Sequence, residues 1–149
     1  MKEQEQTQIS FGLKRITTEQ FAIVDEAPKD FDKVNINIGI RFGIDPEGKM
    51  LAASTLFKFE YGSKPFIIIE ATCHFSIEEK SWDSFVSGHK IKFDKGFLTH
   101  LAMITVGTNR GILHTKTEGT PYNEFVLPTI NVIEIIKDDF IFELRQPKE

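Results

Sequence analysis

Apolar and polar residues alternate along the first half of the chain. From Ile36 to Ile44, the apolar positions Ile36, Ile38, Ile40, Phe42 and Ile44 interleave with Asn37, Gly39, Arg41 and Gly43. A period of two sends every second side chain to the same face, so this stretch predicts a strand with one buried and one wet side. Asp45-Pro46-Glu47-Gly48 then supplies turn chemistry, with proline presetting φ and glycine accepting a positive one. A second strand is expected over Met50–Tyr61, with Leu51, Ala53, Thr55, Phe57, Phe59 and Tyr61 inward. Gly62-Ser63-Lys64-Pro65 turns the chain into a third, Phe66–Ile77, which buries Ile67, Ile69, Ala71, Cys73, Phe75 and Ile77. Turns this short join antiparallel neighbours, because a parallel crossover needs far more chain. An earlier stretch, Ile9–Ile16, sets Ile9, Phe11 and Leu13 on one face. It completes a four-stranded sheet, with Phe11 and Leu13 inward and Lys14 and Arg15 at the sheet end.

The pattern changes after Ile77. Residues Glu78–Phe93 read as a linker holding two large aromatics, Trp82 and Phe85, among polar neighbours. Asp94 suits the N-cap of a helix running to about Thr117 and stopped by Gly119, with Pro121 beyond. Phe97, Leu98, Leu101, Ile104 and Ile112 form its apolar stripe. A second edge carries His100, Ile104, Gly107 and Gly111. Each interior glycine costs a helix about 1 kcal/mol relative to alanine. Either the glycines sit at tolerant exposed positions, or they admit another backbone, from a sheet or from a second copy of the chain. The second copy is the expectation here, making Ile104, Gly107 and Gly111 interface residues. Phe125–Ile136 is strongly apolar, with Val132, Ile133 and Ile136 suiting a short helix, although its β-branched run also suits extended chain. Phe140-Ile141-Phe142 reads as a small terminal strand. The expected fold is therefore α/β of the α+β kind: one domain over 1–149, a four-stranded antiparallel sheet with a long helix packed on it.

Composition narrows the function. With 149 residues, 40% hydrophobic and 27% charged, the chain is long enough for a core that needs no staples. The net charge of −4 is spread along the chain, and no basic block is present to displace counterions from a phosphate backbone. Nucleic acid is therefore not an expected partner. One cysteine, Cys73, allows no intrachain disulfide, which fits a reducing compartment. The polar start Met1-Lys2-Glu3-Gln4-Glu5-Gln6 lacks a signal-peptide core, and no apolar run approaches the ~20 residues that span a bilayer. A cytoplasmic location is the expectation. Phenylalanine occurs 14 times against 2 tyrosines and 1 tryptophan, enough both to fill a core and to line a surface for apolar partners.

Catalytic patterns are missing. Cys73 and His74 are adjacent on a strand and face opposite sides, so they cannot share a metal. His100 and His114 share a helix side but stand ~21 Å apart along its axis, too far for one ion. Ser81, Ser84 and Ser87 lack a nucleophile elbow, and no glycine-rich loop precedes a helix. Neither an enzyme, nor a metal, nor a cofactor is expected.

The segment from Gly107 to Val132, GTNRGILHTKTEGTPYNEFVLPTINV, resembles the corresponding stretch of SecB export chaperones. A helix ends in Gly119-Thr120, an apolar stretch follows, and Leu127-Pro128 leads to Asn131, one place displaced from the usual register. Phe11-Gly12-Leu13-Lys14-Arg15-Ile16 and the later Glu26-Ala27-Pro28 are similar to that family's opening strand and its exit. In order of elements the likeness covers about 125 residues. It implies a homotetramer built as a dimer of dimers. It also implies ATP-independent binding of unfolded, export-competent polypeptides through apolar grooves, with delivery to a translocase motor. Phe31, Trp82, Phe85, Phe125 and Leu127 are the expected client-binding residues, Trp82 and Phe85 otherwise serving to plug the open end of the core.

Three departures from the family stand out. Pro28–Val34 is a short connection with only Phe31 as an aromatic. The hairpin tip Tyr61-Gly62-Ser63-Lys64-Pro65 carries no acid between Glu60 and Glu70, where the family docks its motor, and the tail keeps an apolar Phe-Ile-Phe-Glu-Leu. The rivals to a general export holdase are a chaperone dedicated to one client such as an antitoxin, a small-ligand binder using a cleft between sheet and helix, and a purely structural assembly subunit.

Overall fold

Residues 8–144 are described by a computed structural model of the protein. Strands β1 (Phe11–Ile23), β2 (Val34–Asp45), β3 (Met50–Tyr61) and β4 (Lys64–Ile77) form an antiparallel sheet in the order β1-β4-β3-β2. The β3–β4 hairpin turns on Gly62-Ser63, and Gly62 takes φ +64°, a conformation glycine adopts without a Cβ clash. β1 runs seven residues beyond Ile16, so Lys14 and Arg15 lie within the strand and not at the sheet end. The register slips at Lys14 and again at Glu19, two bulges that blunt this edge of the sheet.

Between β4 and the long helix, the expected linker is structured. Helix α1 (Glu79–Phe85) leads into a hairpin of β5 (Val86–Ser87) and β6 (Lys90–Phe93), which turns at Gly88 with φ +61°. Polar composition hid this element, since only Trp82 and Phe85, three residues apart on one helical face, seek the core. The second sheet is closed by β7 (Phe140–Glu143), antiparallel to β6, so the expected terminal strand is present.

Helix α2 (Lys95–Thr117) lies over β3 and β4 and stops at Gly119, whose φ is +75°. Asp94 holds the N-cap position with extended backbone but makes no side-chain capping bond. Asp139 does that work from the chain before β7, its Oδ1 accepting the Lys95 amide at 2.8 Å. The buried face of α2 includes Phe97, Leu98 and Leu101, then continues through Ala102, Thr105, Val106, Asn109, Leu113 and Thr117. Ile104 and Ile112, expected in the stripe, are half-buried on its flanks. Thr105 and Thr117 hydroxyls donate to the carbonyls of Leu101 and Leu113, and Asn109 donates to the Thr55 carbonyl at 2.9 Å, while the buried Asn109 Oδ1 has no hydrogen-bond partner among the described residues.

The core divides into two clusters along α2. One gathers Leu51, Ala53, Cys73, Phe75, Ile91, Phe93 and Leu98 toward the β5–β6–β7 sheet; the other gathers Phe57, Phe59, Ile67, Ile69, Val106 and Leu113 toward the far end of the helix. These buried side chains pack the sheet against α2. Leu13 lies on the inner face as expected, opposite Phe75, yet is 43% exposed, while α2 reaches β1 at Phe11, whose ring meets Phe97 at 5.3 Å, and at Phe21, whose ring lies under the Lys116 ammonium.

Candidate functional site

The strand at the other edge, β2, carries its apolar side on the helix-bearing face of the sheet. Val34, Ile36, Ile38, Ile40, Phe42 and Ile44 are all half-buried, in strict alternation with exposed Asn35, Asn37, Gly39 and Arg41. α2 packs chiefly on β3 and β4, so these positions lie at the margin of the core. Ile130 and Ile136, in the segment after α2 that includes helix α3 (Val132–Ile135), pack on the same core cluster as Ile36, Ile38 and Ile40. The result is a long apolar strip at the margin of the core, carrying no charged side chain on its inner positions.

Aromatic pairs close both ends of the strip. Near Val34, Phe31 sits in a short 3-10 turn (Phe31–Lys33) and lies against Phe125, ring centroids 5.2 Å apart. Phe125 in turn meets Phe66 edge-on at 4.9 Å and Phe59 at 6.3 Å, so three buried rings support one exposed ring. Near the other end, Phe42 packs edge-on against Phe140 at 5.9 Å. Edge-to-face geometry at these distances is the favoured arrangement of aromatic quadrupoles.

Hydrogen bonds fix the far wall. Arg110 donates through Nε to the Leu127 carbonyl and through a terminal nitrogen to the Pro128 carbonyl, each at 2.8 Å. The Tyr122 hydroxyl donates to the Asp25 carbonyl at 2.7 Å, tying the turn after α2 to the chain leaving β1. The wall nonetheless keeps apolar side chains outside, with Val126, Ile133 and Ile135 exposed.

The five residues expected on one client surface fall in two places. Trp82 belongs to the first core cluster and Phe85, half-buried, packs against it: Trp82 is 4% exposed against Phe93, and Phe85 stacks on Phe97 at 5.5 Å. Trp82 is thus a core plug, because helix α1 turns it inward beneath β6. Phe31, Phe125 and Leu127 come together at the strip, but Phe125 and Leu127 are buried and only Phe31, 51% exposed, offers its ring to solvent. The β2 strip itself was missed as a surface, although its alternation was the clearest signal in the chain; a period of two shows which face is apolar and not what covers it. Gly107 and Gly111 are exposed, and a Cβ added at either would meet nothing within 4 Å, so this chain's own sheet does not use them for close approach. Ile104 lies half-buried beside them.

No group of three or more potential metal ligands occurs among the described residues, and no described helix is long and apolar enough to cross a membrane. Cys73 and His74 do face opposite sides: the thiol is buried, while the His74 ring meets the Thr17 hydroxyl at 3.1 Å.

No family profile matches the sequence, and no curated protein sequence matches it. Among solved structures, the fold is similar to that of the Mycobacterium tuberculosis Rv1957 SecB-like chaperone, solved in complex with a ChAD peptide from the Rv1956 HigA1 antitoxin. The TM-score is 0.50 at 8% identity, over 81% of this chain and 91% of that one. The likeness therefore lies in the fold.

Proposed function

We propose that this chain is an ATP-independent holdase that binds unfolded polypeptide segments in extended form. The observation that carries the reading is the half-buried strip on β2, bounded by Phe31–Phe125 and Phe42–Phe140, within a SecB-like fold. A surface for many sequences needs apolar area without strict hydrogen-bond demands, and branched aliphatic and aromatic side chains supply it. Such binding calls for no catalytic group. The two carbonyls held by Arg110 give the strip a fixed wall, so its depth does not rely on a mobile loop. Phe31 is the client-contacting residue of the original five; Phe125 and Leu127 support it from below.

A chaperone dedicated to one client is the second reading, in preference to general export. The structural relative is complexed with an antitoxin peptide, and the acid-poor hairpin tip here gives a translocase motor little to hold. Aggregation of a chemically unfolded protein, followed by light scattering without nucleotide, tests the shared claim. Suppression at near-equimolar chain, lost in Ile38→Asp while circular dichroism stays native, supports it. Suppression unaffected by Ile38→Asp and Phe31→Ala together assigns binding to another surface and overturns the reading.

A further inference from the structure

Between the first turn of α2 and helix α3 lies an open pocket of about 500 Å³, lined by Lys95, Gly96, Thr99, Ile133, Ile136 and Lys137. No β2 residue lines it, so it is separate from the apolar strip. Ligand sites are commonly clefts of ~300–1,000 Å³ with apolar walls and a few polar groups that orient the molecule. This pocket has that size and that division of labour. Ile133 and Ile136 supply branched aliphatic surface, and the Thr99 hydroxyl is a neutral hydrogen-bonding group. Gly96 keeps one wall open, since a Cβ added there would meet nothing within 4 Å.

The charge of the lining has one sign. Lys95 and Lys137 are its only charged residues. Neither ammonium is in an ion pair among the described residues, where the pairs join Arg41 to Glu70, Lys49 to Glu79, Lys92 to Asp139 and His114 to Glu118. Asp94 and Asp138, each next in sequence to one of the two lysines, do not line the pocket. Asp139 feels the charge of Lys95, but its carboxylate is held by the Lys95 amide at 2.8 Å and the Lys92 ammonium at 3.4 Å. The start of a 23-residue helix adds positive potential on the same side. Two ammonium groups beside an aliphatic floor are complementary to a molecule with an anionic head and an apolar tail.

We propose that this pocket binds a free aliphatic monocarboxylate, its head between Lys95 and Lys137 and its chain along Ile133 and Ile136. A carboxylate offers several acceptor sites, and its bonds to ammonium groups are of the stronger, charge-assisted kind. Each methylene laid on the floor adds apolar burial, so affinity rises with chain length until the pocket is filled. A floor of two isoleucines has room for one short tail and not for the several side chains of an extended peptide. An alcohol of equal length satisfies the floor and leaves the lysines unused. This site stands independently of the holdase reading.

Octanoate, titrated into the full chain below its micelle concentration and followed by amide NMR shifts, tests the site. Saturable shifts at Gly96, Thr99 and Ile133 are expected. The double variant Lys95→Met, Lys137→Met should bind octanoate about tenfold more weakly, the combined effect of two exposed charge pairs, and bind octanol as before. Gly96→Leu, at an exposed position with open space beside it, should block octanoate while circular dichroism stays native. Octanol binding as tightly as octanoate to the native chain would overturn the anionic head. Undiminished octanoate binding by natively folded Gly96→Leu would place the molecule elsewhere and overturn the site. Saturation by an apolar peptide with a free C-terminus, but not by octanoate, would give the pocket to a chain end and overturn the small-molecule proposal. Absence of saturable shifts at these amides would remove it altogether. None of these readouts uses an unfolded client, so this proposal and the holdase reading fail separately.

Discussion

Phe31 and Phe125 touch at 5.2 Å, yet removing each ring has a different consequence. Phe125 is buried among Phe59 and Phe66, so Phe125→Ala leaves a cavity and should cost about 3–5 kcal/mol by denaturant unfolding. Phe31 is half exposed, and Phe31→Ala should cost about 1 kcal/mol or less while weakening peptide binding measurably by fluorescence titration. Trp82→Ala belongs with Phe125, at about 3–5 kcal/mol, with unchanged peptide affinity per folded molecule. Near-native stability of Trp82→Ala would contradict its burial. Asn109 illustrates a different residue-scale logic. Its amide donates to the Thr55 carbonyl and hydroxyl within the core, so Asn109→Leu gains apolar surface but strands the Thr55 hydroxyl. A loss of about 1–3 kcal/mol is expected, readable as a lowered melting temperature.

Elements here are held at their ends by residues distant in sequence. The first turn of α2 is capped by Asp139, 44 residues away, and not by its own Asp94. The hydrogen bond from the Lys95 amide holds the Asp139 carboxyl below the usual carboxylate range, and the Lys92 ammonium at 3.4 Å adds to this. A carboxyl lowered on folding adds stability above its unfolded pKa and loses it as pH falls through the folded one. The latch between α2 and β7 should therefore loosen below about pH 4. Hydrogen exchange should show faster exchange at the Lys95 amide in acid, and in Asp139→Ala already at neutral pH; identical Lys95 protection in that variant would remove Asp139 as the cap. Arg110 plays the matching part at the other wall. Arg110→Met should keep its packing but free the Leu127 and Pro128 carbonyls, raising exchange through 125–136 while the four-stranded sheet stays protected.

In the whole molecule, one helix packs chiefly on two of four strands, and the two edges are left to different fates. β1 has two bulges and meets α2 at Phe11 and Phe21 while Leu13 and Ile16 stay exposed; β2 has neither bulge nor break in its register and a row of half-buried apolar residues. Gly111→Leu puts a bulky side chain on the exposed edge of α2, and light scattering should then report a lower mass if that edge is the expected subunit contact, with unchanged mass counting against it. Such a variant should still bind peptide along β2, because the two surfaces lie on opposite flanks of the helix.

The strands β2, β3 and β4 and the span of α2 were legible in the chain, because alternation, Gly-containing turns and a glycine stop are local signals with local causes. The family likeness agreed with them in order, and the fold it implied is the one observed. Three things were decided only by tertiary structure. The buried face of α2 runs through Thr105, Asn109 and Thr117, whose polarity masks the stripe until their hydrogen-bond partners are in place. Trp82 is a core residue and Phe85 lies half-buried beside it because a seven-residue helix, marginal by itself, is stabilised by the rings of Phe93 and Phe97. Finally, alternation declares one face of β1 and one of β2 apolar, but burial depends on where α2 comes to rest. A helix about 10 Å wide packs chiefly on two strands spaced by about 4.8 Å and touches β1 only at Phe11 and Phe21, so the outer strands keep much of their apolar surface at the margin of the core.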